Sequence, residues 1–267
     1  MPGIPKSDAE RAAVGALFND ADVARCYAHR PPYAAALFEF LLERTAGRGR
    51  ALDLGCGPGK VALALAEHFA EVTALDPAAH MIEAGRRADA GRHANIVWAN
   101  IRAEDLTPGQ SFDLVTAGTA IHWPRHDILF PKLAAITPML AVISEGGPEY
   151  LARGLGKPWV EFHVRWLARV GQVYDQAAFN ADGRRYESWM DIAGRERFAY
   201  TFRQSVEDFI TSQHSRATWA RSVMGEALAD EFDRDLEALM RPYAKEGLLE
   251  FELVSELTWG APRSEPV

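Results

Sequence analysis

The chain has 267 residues, of which 48% are hydrophobic and 25% charged, so it is long enough to bury a sizeable core and has the composition of a soluble globular protein. Its formal net charge of −8 argues against a nucleic-acid partner, because a phosphate backbone binds to basic surfaces. The two cysteines, Cys26 and Cys56, suit a reducing compartment, and neither they nor the eight histidines have the spacing of metal ligands.

No targeting or membrane segment is predicted. The first ten residues lack the charged and then apolar order of a signal peptide. No apolar run approaches the ~20 residues that a membrane-spanning helix needs. We therefore predict a cytoplasmic protein with no metal, membrane or nucleic-acid partner that acts as a monomer or a homodimer.

The first half of the chain alternates helical and strand patterns. Residues 1–20 are weakly patterned, and a short helix, the turn at Pro31-Pro32 and a second helix follow as far as Thr45. Short apolar runs then predict buried strands over residues 50–54, 71–75, 95–98, 112–117 and 139–144. The segments between them predict helices over residues 60–69, 78–90 and 131–136. This rhythm implies parallel strands joined by right-handed crossovers, a doubly wound sheet whose ligands bind beyond the carboxyl ends of the strands.

The second half loses that rhythm. Helical periodicity predicts helices over residues 159–173, 206–218 and 225–243. A strand is predicted over residues 198–202, and alternating polar and apolar residues predict an edge-type strand over residues 248–259. We expect the tail, residues 261–267, to be disordered.

A glycine-rich loop joins the first predicted strand to the helix after it. Residues 52–60 read Leu-Asp-Leu-Gly-Cys-Gly-Pro-Gly-Lys, and glycines there permit tight turns and let a ligand touch the backbone. The G-x-G-x-G spacing differs from the dinucleotide pattern G-x-G-x-x-G, and no P-loop ending follows. The alternative to a ligand site is a plain strand-to-helix turn.

Asp76 ends the second predicted strand. A carboxylate at this point can accept hydrogen bonds from both hydroxyls of a ribose. It can also cap the helix that follows, and Pro77 at the start of that helix suits a cap. Because the glycine loop precedes it, we favour the ribose.

These motifs carry a family resemblance. Residues 52–60, the pair Asp76-Pro77 and the run Phe112-Asp113-Leu114-Val115 resemble the class I S-adenosylmethionine-dependent methyltransferases. Residues 27–31 and Ala120-Ile121-His122-Trp123 are similar to the small-molecule branch that includes trans-aconitate methyltransferase. The resemblance implies an α/β, Rossmann-like doubly wound sheet of about seven strands, mostly parallel with an antiparallel last strand. It also implies a helical lid inserted after the fifth strand.

The predicted organisation is a single structural domain in three parts. Residues 1–147 form the N-terminal helices and the cofactor-binding core, residues 148–247 a helical lid and substrate region with one core strand, and residues 248–267 the final strand and tail.

The resemblance also implies a cofactor, S-adenosylmethionine, and residues to bind it. The implied cofactor residues are Tyr27, Arg30, Asp53, Gly55, Gly57, Gly59, Asp76, Pro77, Met81, Ala103, Glu104, Gly118 and Thr119. Asp53 would order the loop from beneath, Pro77 and Met81 would pack on the adenine, and Ala103 and Glu104 would flank its edge. Many relatives have an aspartate where this chain has Arg102.

The implied residues also include a group at the methionine end of the cofactor. Gly118 and Thr119 would lie beside the sulfonium, and Tyr27 and Arg30 would close over the methionine end. Arg30 matches a carboxylate in geometry, with an ordinary surface arginine as the alternative.

The acceptor side is predicted from the segments after the fourth and fifth strands. His122 is a candidate general base, or a structural histidine beside Trp123, and His126 is a weaker candidate. Glu145 either faces the cleft or is a solvated loop residue. Trp159 is a candidate to roof the pocket together with Phe162, Trp166 and Trp219, although such aromatic stripes more often form core.

The predicted function is therefore methyl transfer to a small-molecule acceptor, with a carboxylate or hydroxyl oxygen favoured. Methylation of nitrogen or carbon is the alternative within this class. Two alternatives lie outside it: a nicotinamide-dependent oxidoreductase, disfavoured by the loop spacing, and a cofactor-binding protein that has lost its chemistry.

Overall fold

The computed structural model describes residues 15–107, 109–145, 155–171 and 185–267. Its strands are β1 (Arg50–Leu54), β2 (Glu71–Leu75), β3 (Ile96–Ala99), β4 (Leu114–Gly118), β5 (Leu140–Glu145), β6 (Met190–Ser205) and β7 (Leu248–Pro262). Its named α-helices are α1 (Ala21–Tyr27), α2 (Ala35–Arg44), α3 (Lys60–Ala66), α4 (Ala79–Asp89), α5 (His126–Ile136), α6 (Gly156–Arg169), α7 (Val206–Gln213), α8 (Arg221–Met224) and α9 (Glu226–Met240). Residues 1–14, the predicted boundary at residue 147 and the end of the predicted helix 159–173 lie outside the described residues.

The seven strands form one sheet in the order β3-β2-β1-β4-β5-β7-β6. The first five pair in parallel, and β7 runs antiparallel to β5. The central parallel strands read as apolar runs because helices of a doubly wound fold cover both faces of such a sheet. This topology confirms the predicted Rossmann-like fold with its antiparallel last strand.

Contacts divide the chain into two compact units. The sheet unit comprises residues 32–145, 180–198 and 255–267, and its core includes Leu52, Val115, Leu129, Phe130 and Leu140, all completely buried. The helical unit comprises residues 1–31, 146–179 and 199–254. The two last strands each contribute residues to both units.

The core of the helical unit is aromatic. Trp159, Phe162, Trp166 and Trp219 are all buried in one cluster, and the Trp219 ring stacks on Phe232 with 5.1 Å between centroids. The core interpretation of this aromatic set is therefore confirmed. A contact of Trp159 with an acceptor stays a prediction.

Helix α5 and strand β6 are both several residues longer than the sequence patterns predicted. Helix α5 begins at His126 rather than at residue 131, so Pro131 lies inside it. The prediction was wrong because a proline often marks the first turn of a helix, where its missing N–H costs nothing. Strand β6 covers sixteen residues instead of residues 198–202.

The extra length of β6 depends on its pairing with β7. Arg203 binds Glu250 and Thr201 binds Glu252 in the helical unit, and Arg197 binds Glu256 in the sheet unit. The order of these pairs runs in opposite directions along the two strands, as it does between antiparallel neighbours. Opposite charges across a strand pair stabilise it, and a window of single sequence does not contain that information.

The last strand and the tail also differ from the prediction. Strand β7 lies between β5 and β6, so it is not an edge strand. It continues to Pro262, and the N–H groups of Arg263 and Val267 donate hydrogen bonds to the carbonyls of Trp189 and Ser188. The expected disorder of residues 261–267 was therefore wrong, because these backbone bonds fix the segment within the sheet unit.

The predicted helices over residues 206–218 and 225–243 were close, but each ends early. Helix α7 ends at Gln213 and α9 at Met240, and short 3₁₀ turns follow at Ala217–Trp219 and Arg241–Tyr243. No helix in the described part of the chain has both the length and the hydropathy that a membrane span requires.

Candidate functional site

The glycine loop connects β1 to α3 in the sheet unit. Gly55, Gly57 and Gly59 have φ angles of 61°, 52° and 86°, in the left-handed region that residues with a Cβ rarely adopt. The N–H of Cys56 donates to the carbonyl of Leu75 at 2.9 Å, which ties the loop to the end of β2. Three left-handed residues in five explain why this turn needs glycine.

The three glycines differ in what surrounds them. A Cβ on Gly55 would lie 2.7 Å from the Ala120 Cβ, and one on Gly59 would lie 2.5 Å from the Trp98 ring. A Cβ on Gly57 would meet no atom within 4 Å. The loop is therefore packed on both flanks and open at its centre, which leaves room for a ligand against the backbone.

Asp53 lies in β1, two residues before Gly55, and is almost completely buried. Its carboxyl group accepts hydrogen bonds from the Thr116 hydroxyl (2.9 Å) and from the N–H of Ala62 (3.2 Å). Burial raises the pKa of Asp53 from 3.8 to about 7, since both hydrogen bonds favour the charged form but do not offset the loss of water. The bond to Ala62 holds the first turn of α3 against β1. The ordering of the glycine loop by Asp53 stays a prediction.

Asp76 follows β2 and joins the loop to α4. One carboxylate oxygen accepts from the N–H of Gly57 (2.9 Å), and the other accepts from the N–H of Ala78 (2.8 Å). Burial raises its pKa, and these two hydrogen bonds act in the opposite direction. Asp76 does not cap α4, because the N-cap residue is Ala78 and no side chain makes a capping hydrogen bond there; its bond to Ala78 lies in the turn before the helix. Each oxygen has a second lone pair that can still accept a hydrogen bond from a ribose hydroxyl.

The remaining residues assigned to the adenine side lie after β2 and β3. Pro77 is exposed, whereas Met81 is buried on the inner face of α4. Ala103 is buried in a 3₁₀ turn. None of these placements tests the predicted contacts with adenine.

Glu104 connects that 3₁₀ turn to the start of α5. Its side chain accepts from the N–H of Arg125 (3.0 Å) and from Arg102 (3.2 Å). Burial alone would raise the pKa of Glu104, but these hydrogen bonds lower it below its usual value. Arg102, which departs from the family pattern, therefore serves as a partner of Glu104.

The carboxyl end of β4 brings together Gly118, Thr119 and Tyr33. The Tyr33 and Thr119 hydroxyls are 2.9 Å apart, and a Cβ on Gly118 would lie 3.1 Å from the Tyr33 hydroxyl oxygen. Tyr33 was not predicted as a site residue, because it is 86 positions away from Thr119 in the chain. Only the folded sheet unit reveals their contact.

The segment after Thr119 contains both histidine candidates. The rings of His122 and Trp123 are half-buried, with centroids 4.7 Å apart. His126 donates from Nε2 to the carbonyl of Ile121 at 2.7 Å, which is a structural role. Glu145 is the exposed last residue of β5. The base role of His122 and the acceptor contacts of Trp123 and Glu145 stay predictions.

Tyr27 and Arg30 belong to the helical unit. The Arg30 guanidinium lies 4.1 Å from the centroid of the Tyr27 ring and donates hydrogen bonds to the Ser215 hydroxyl (2.6 Å) and carbonyl (2.9 Å). The structure therefore brings these two residues together. Their contact with the methionine end of the cofactor stays a prediction.

Within the described ranges, no group of three or more histidine, cysteine, aspartate or glutamate side chains could hold a metal.

Comparison with known proteins identifies the class of the sheet unit's core. Residues 51–147 match the family model described as a methyltransferase domain. A proposed type II methyltransferase from Anaeromyxobacter dehalogenans shares the fold, with a TM-score of 0.65 and 24% identity over 89% of this chain and 99% of that one. Residues 51–147 therefore form a methyltransferase domain, and the sheet has the Rossmann-like fold of class I S-adenosylmethionine-dependent methyltransferases.

Two curated relatives are similar over longer stretches. A trans-aconitate 2-methyltransferase from Methylobacterium radiotolerans is 34% identical over 142 residues, which cover 51% of this chain and 52% of the relative. One from Streptomyces coelicolor is 30% identical over 194 residues, covering 68% of this chain and 62% of the relative. The matches thus span less than two thirds of either relative's own length.

Proposed function

We propose that this protein transfers a methyl group from S-adenosylmethionine to an oxygen of a small-molecule acceptor, most favourably a carboxylate. One observation carries the proposal: Gly57 faces open space at the centre of a loop that Asp76 ties to the end of β2. Open space at the half-buried Gly57, next to a carboxylate with unused lone pairs, suits a nucleoside with its ribose at Asp76.

The residues present fit the cofactor. Gly55, Gly57 and Gly59 would hold it along the loop backbone, and Asp76 would hold the ribose. S-adenosylmethionine supplies a methyl group on a positively charged sulfur that is its own leaving group. The protein then has to orient the acceptor in line with that group, which is catalysis by positioning.

The polar side chains that follow β4, Thr119 and His122, are compatible with a carboxylate acceptor. Carboxylates are ionised at neutral pH, so their oxygen needs no general base. Two relatives are named for trans-aconitate, which is a carboxylate. A hydroxyl acceptor would need a base, for which His122 is the candidate. Nitrogen and carbon acceptors are the remaining alternatives within this class.

The first test separates this proposal from an oxidoreductase. Calorimetry should detect binding of S-adenosylmethionine and S-adenosylhomocysteine and no binding of NAD. A methyl-transfer assay with small carboxylic acids, phenols and amines then identifies the acceptor. Binding without any turnover would favour a protein that has lost its chemistry, and an absence of binding would contradict the proposal.

The second test addresses Asp76 itself. Asp76→Ala should weaken S-adenosylhomocysteine binding by about 1–3 kcal/mol, the range for losing a hydrogen bond to a charged group. Asp113→Ala is the matched control, because the Asp113 carboxylate also accepts from two backbone N–H groups, those of Gly49 (2.7 Å) and Arg50 (3.0 Å), at the start of β1. If both variants lower affinity equally, the effect of Asp76 is structural and the ribose assignment fails.

A further inference from the structure

The polar contact between Tyr33 and Thr119 lies at the switch point of the sheet. The chain runs from β1 to β2 and β3 on one side of β1 and returns to β4 on the other, as the order β3-β2-β1-β4-β5 shows. Ligands of open α/β sheets bind in the crevice beyond the carboxyl ends of the strands at such a point. Thr119 follows β4 directly, so its hydroxyl is at this crevice.

Thr119 is held in an unfavourable backbone conformation. Its φ angle is 51°, and a β-branched residue is a rare occupant of the left-handed region. Its N–H donates to the carbonyl of Ile143 at 2.7 Å, and its side-chain oxygen is 2.9 Å from the Tyr33 hydroxyl. Such strain costs of order 1–3 kcal/mol and is typical of functional sites, where surrounding contacts enforce it.

Tyr33 is also fixed in place. Pro31-Pro32 fixes the φ angles just before it, and α2 begins two residues after it, so the chain is restricted on both sides of Tyr33. Its ring and hydroxyl lie against Gly118, where a Cβ would be 3.3 Å from ring atom Cε2 and 3.1 Å from the hydroxyl oxygen. Both Thr119 and Tyr33 are half-buried, which leaves part of their surface accessible.

The chemistry of the two hydroxyls favours an anionic ligand. A threonine or tyrosine hydroxyl donates one hydrogen bond and can accept others, and neither hydroxyl acts as a base at neutral pH. If Tyr33 donates to Thr119, the Thr119 hydroxyl keeps its own hydrogen for a ligand. An ionised carboxylate only accepts hydrogen bonds, so it matches that donor.

The proposed ribose partner and Thr119 follow strands on opposite sides of β1. Asp76, the proposed ribose partner, follows β2 on one side of β1, whereas Thr119 follows β4 on the other. A nucleoside that extends from Asp76 across the glycine loop therefore directs its sulfur toward β4. The acceptor has to approach that sulfur from the Thr119 side.

We propose that the Thr119 hydroxyl binds the acceptor's carboxylate, in place of the cofactor contact that the family resemblance implies for Thr119, and that Tyr33 is a positioning residue that orients it; this rests on the proposed function. One carboxylate oxygen accepts the hydrogen bond from Thr119. The other oxygen forms the bond to the methyl carbon as the carbon–sulfur bond breaks, with its electron pair left on sulfur. No proton moves in this step.

The test compares Thr119→Val, Thr119→Ser and Tyr33→Phe. Valine keeps the branched shape without the hydroxyl, and serine keeps the hydroxyl. Thr119→Val should reduce kcat/KM for the carboxylate acceptor by about 10- to 100-fold, as expected for a lost hydrogen bond to a charged group. Tyr33→Phe should lower kcat more than it raises KM, and Thr119→Ser should retain most activity.

Binding measurements separate this proposal from the one on which it rests. Trans-aconitate and the other acids are titrated by calorimetry into protein saturated with S-adenosylhomocysteine. We expect Thr119→Val to weaken acid binding while the S-adenosylhomocysteine dissociation constant and the melting temperature stay near those of the wild type. The acceptor assignment would be overturned if Thr119→Val and Tyr33→Phe lowered the affinity for S-adenosylhomocysteine as much as the affinity for the acid. It would also be overturned if the protein bound the cofactor but none of the acids.

Discussion

At the scale of single residues, Asp53 links the site to the pH dependence of stability. Its pKa is about 7 in the folded protein and 3.8 in the exposed reference state. Between these values the folded state binds more protons than the unfolded state, so stability falls as pH rises toward 7 and then levels off. A shift of this size corresponds to about 4 kcal/mol.

Asp53→Asn should therefore raise stability above about pH 7 and flatten the pH dependence from about pH 4 to about pH 8. The asparagine oxygen can accept from Ala62, and its amide can donate to Thr116, whose hydroxyl already lies 3.4 Å from the carbonyl of Leu52. Urea unfolding across this pH range checks the expectation. A variant that is less stable at every pH would show that the charged form is needed.

Gly57 and Gly59 should respond differently to the same substitution. Both have positive φ, so alanine at either costs about 1 kcal/mol of backbone strain. At Gly59 the new Cβ also meets the Trp98 ring, whereas at Gly57 it enters open space. We expect Gly59→Ala to destabilise the fold more, and Gly57→Ala to weaken S-adenosylhomocysteine binding with the smaller loss of stability. Thermal unfolding and calorimetry on both variants test this, and an unaffected dissociation constant in Gly57→Ala would place the cofactor elsewhere.

At the scale of elements, a buried histidine fixes the end of α7 to α9. His214 bonds from Nδ1 to the carbonyl of Trp219 (2.7 Å) and from Nε2 to Asp233 (2.6 Å). Both ring nitrogens therefore have hydrogen-bond partners, one on the turn after α7 and one on α9. Its side chain is only 5% exposed, so removing it breaks both hydrogen bonds at a buried position.

His214→Ala should consequently cost about 1–3 kcal/mol of unfolding free energy, since it removes both hydrogen bonds and leaves the Trp219 carbonyl without this donor. Asp233 keeps its ion pair to Arg221 at 2.8 Å. Arg165→Ala is the control, because its ion pair to Asp235 also joins a helix to α9 but has 60% and 45% exposed side chains. That exposed pair should contribute below about 1 kcal/mol. Equal losses in the two variants would refute a special role for burial, and urea denaturation provides both values.

The elements also show how far the sequence could predict the structure. The bounds of strands β1 and β2 were predicted to the residue, because each is a short, mostly apolar segment between glycines or predicted helices, as buried parallel strands are. Strand β6 was underestimated because its outward charges have their partners on β7. The glycine loop and Asp76 were local motifs, whereas Tyr33, Thr116 and Trp98 join the site through contacts across the sheet unit that no short window contains.

At the scale of the whole molecule, hydrogen exchange can report which unit responds to the cofactor. S-adenosylhomocysteine should slow exchange at residues 55–59 and 76–81 of the sheet unit, because bound ligand suppresses local opening. Exchange at residues 21–30 of the helical unit tests whether Tyr27 and Arg30 contact the cofactor, as the family resemblance implies. Protection there would support both residues as cofactor ligands, and unchanged exchange would remove them from the site.

The proposed substrate role of residues 148–247 can be tested with the same measurement. Adding an acceptor to the protein already saturated with S-adenosylhomocysteine should slow exchange in helices of the helical unit that the cofactor alone leaves unchanged. Protection confined to the sheet unit would instead place acceptor selection in the segments after β4 and β5.

The Trp98 ring, packed against Gly59 and Gly85, gives this domain an intrinsic optical reporter. Indole emission depends on the polarity and contacts of the ring, and this one lies against the loop that is proposed to hold the nucleoside. Subtracting the spectrum of a Trp98→Phe variant would isolate its emission from that of the other six tryptophans in the chain. Ligand occupancy could then be followed in real time on unlabelled protein, before any acceptor is known.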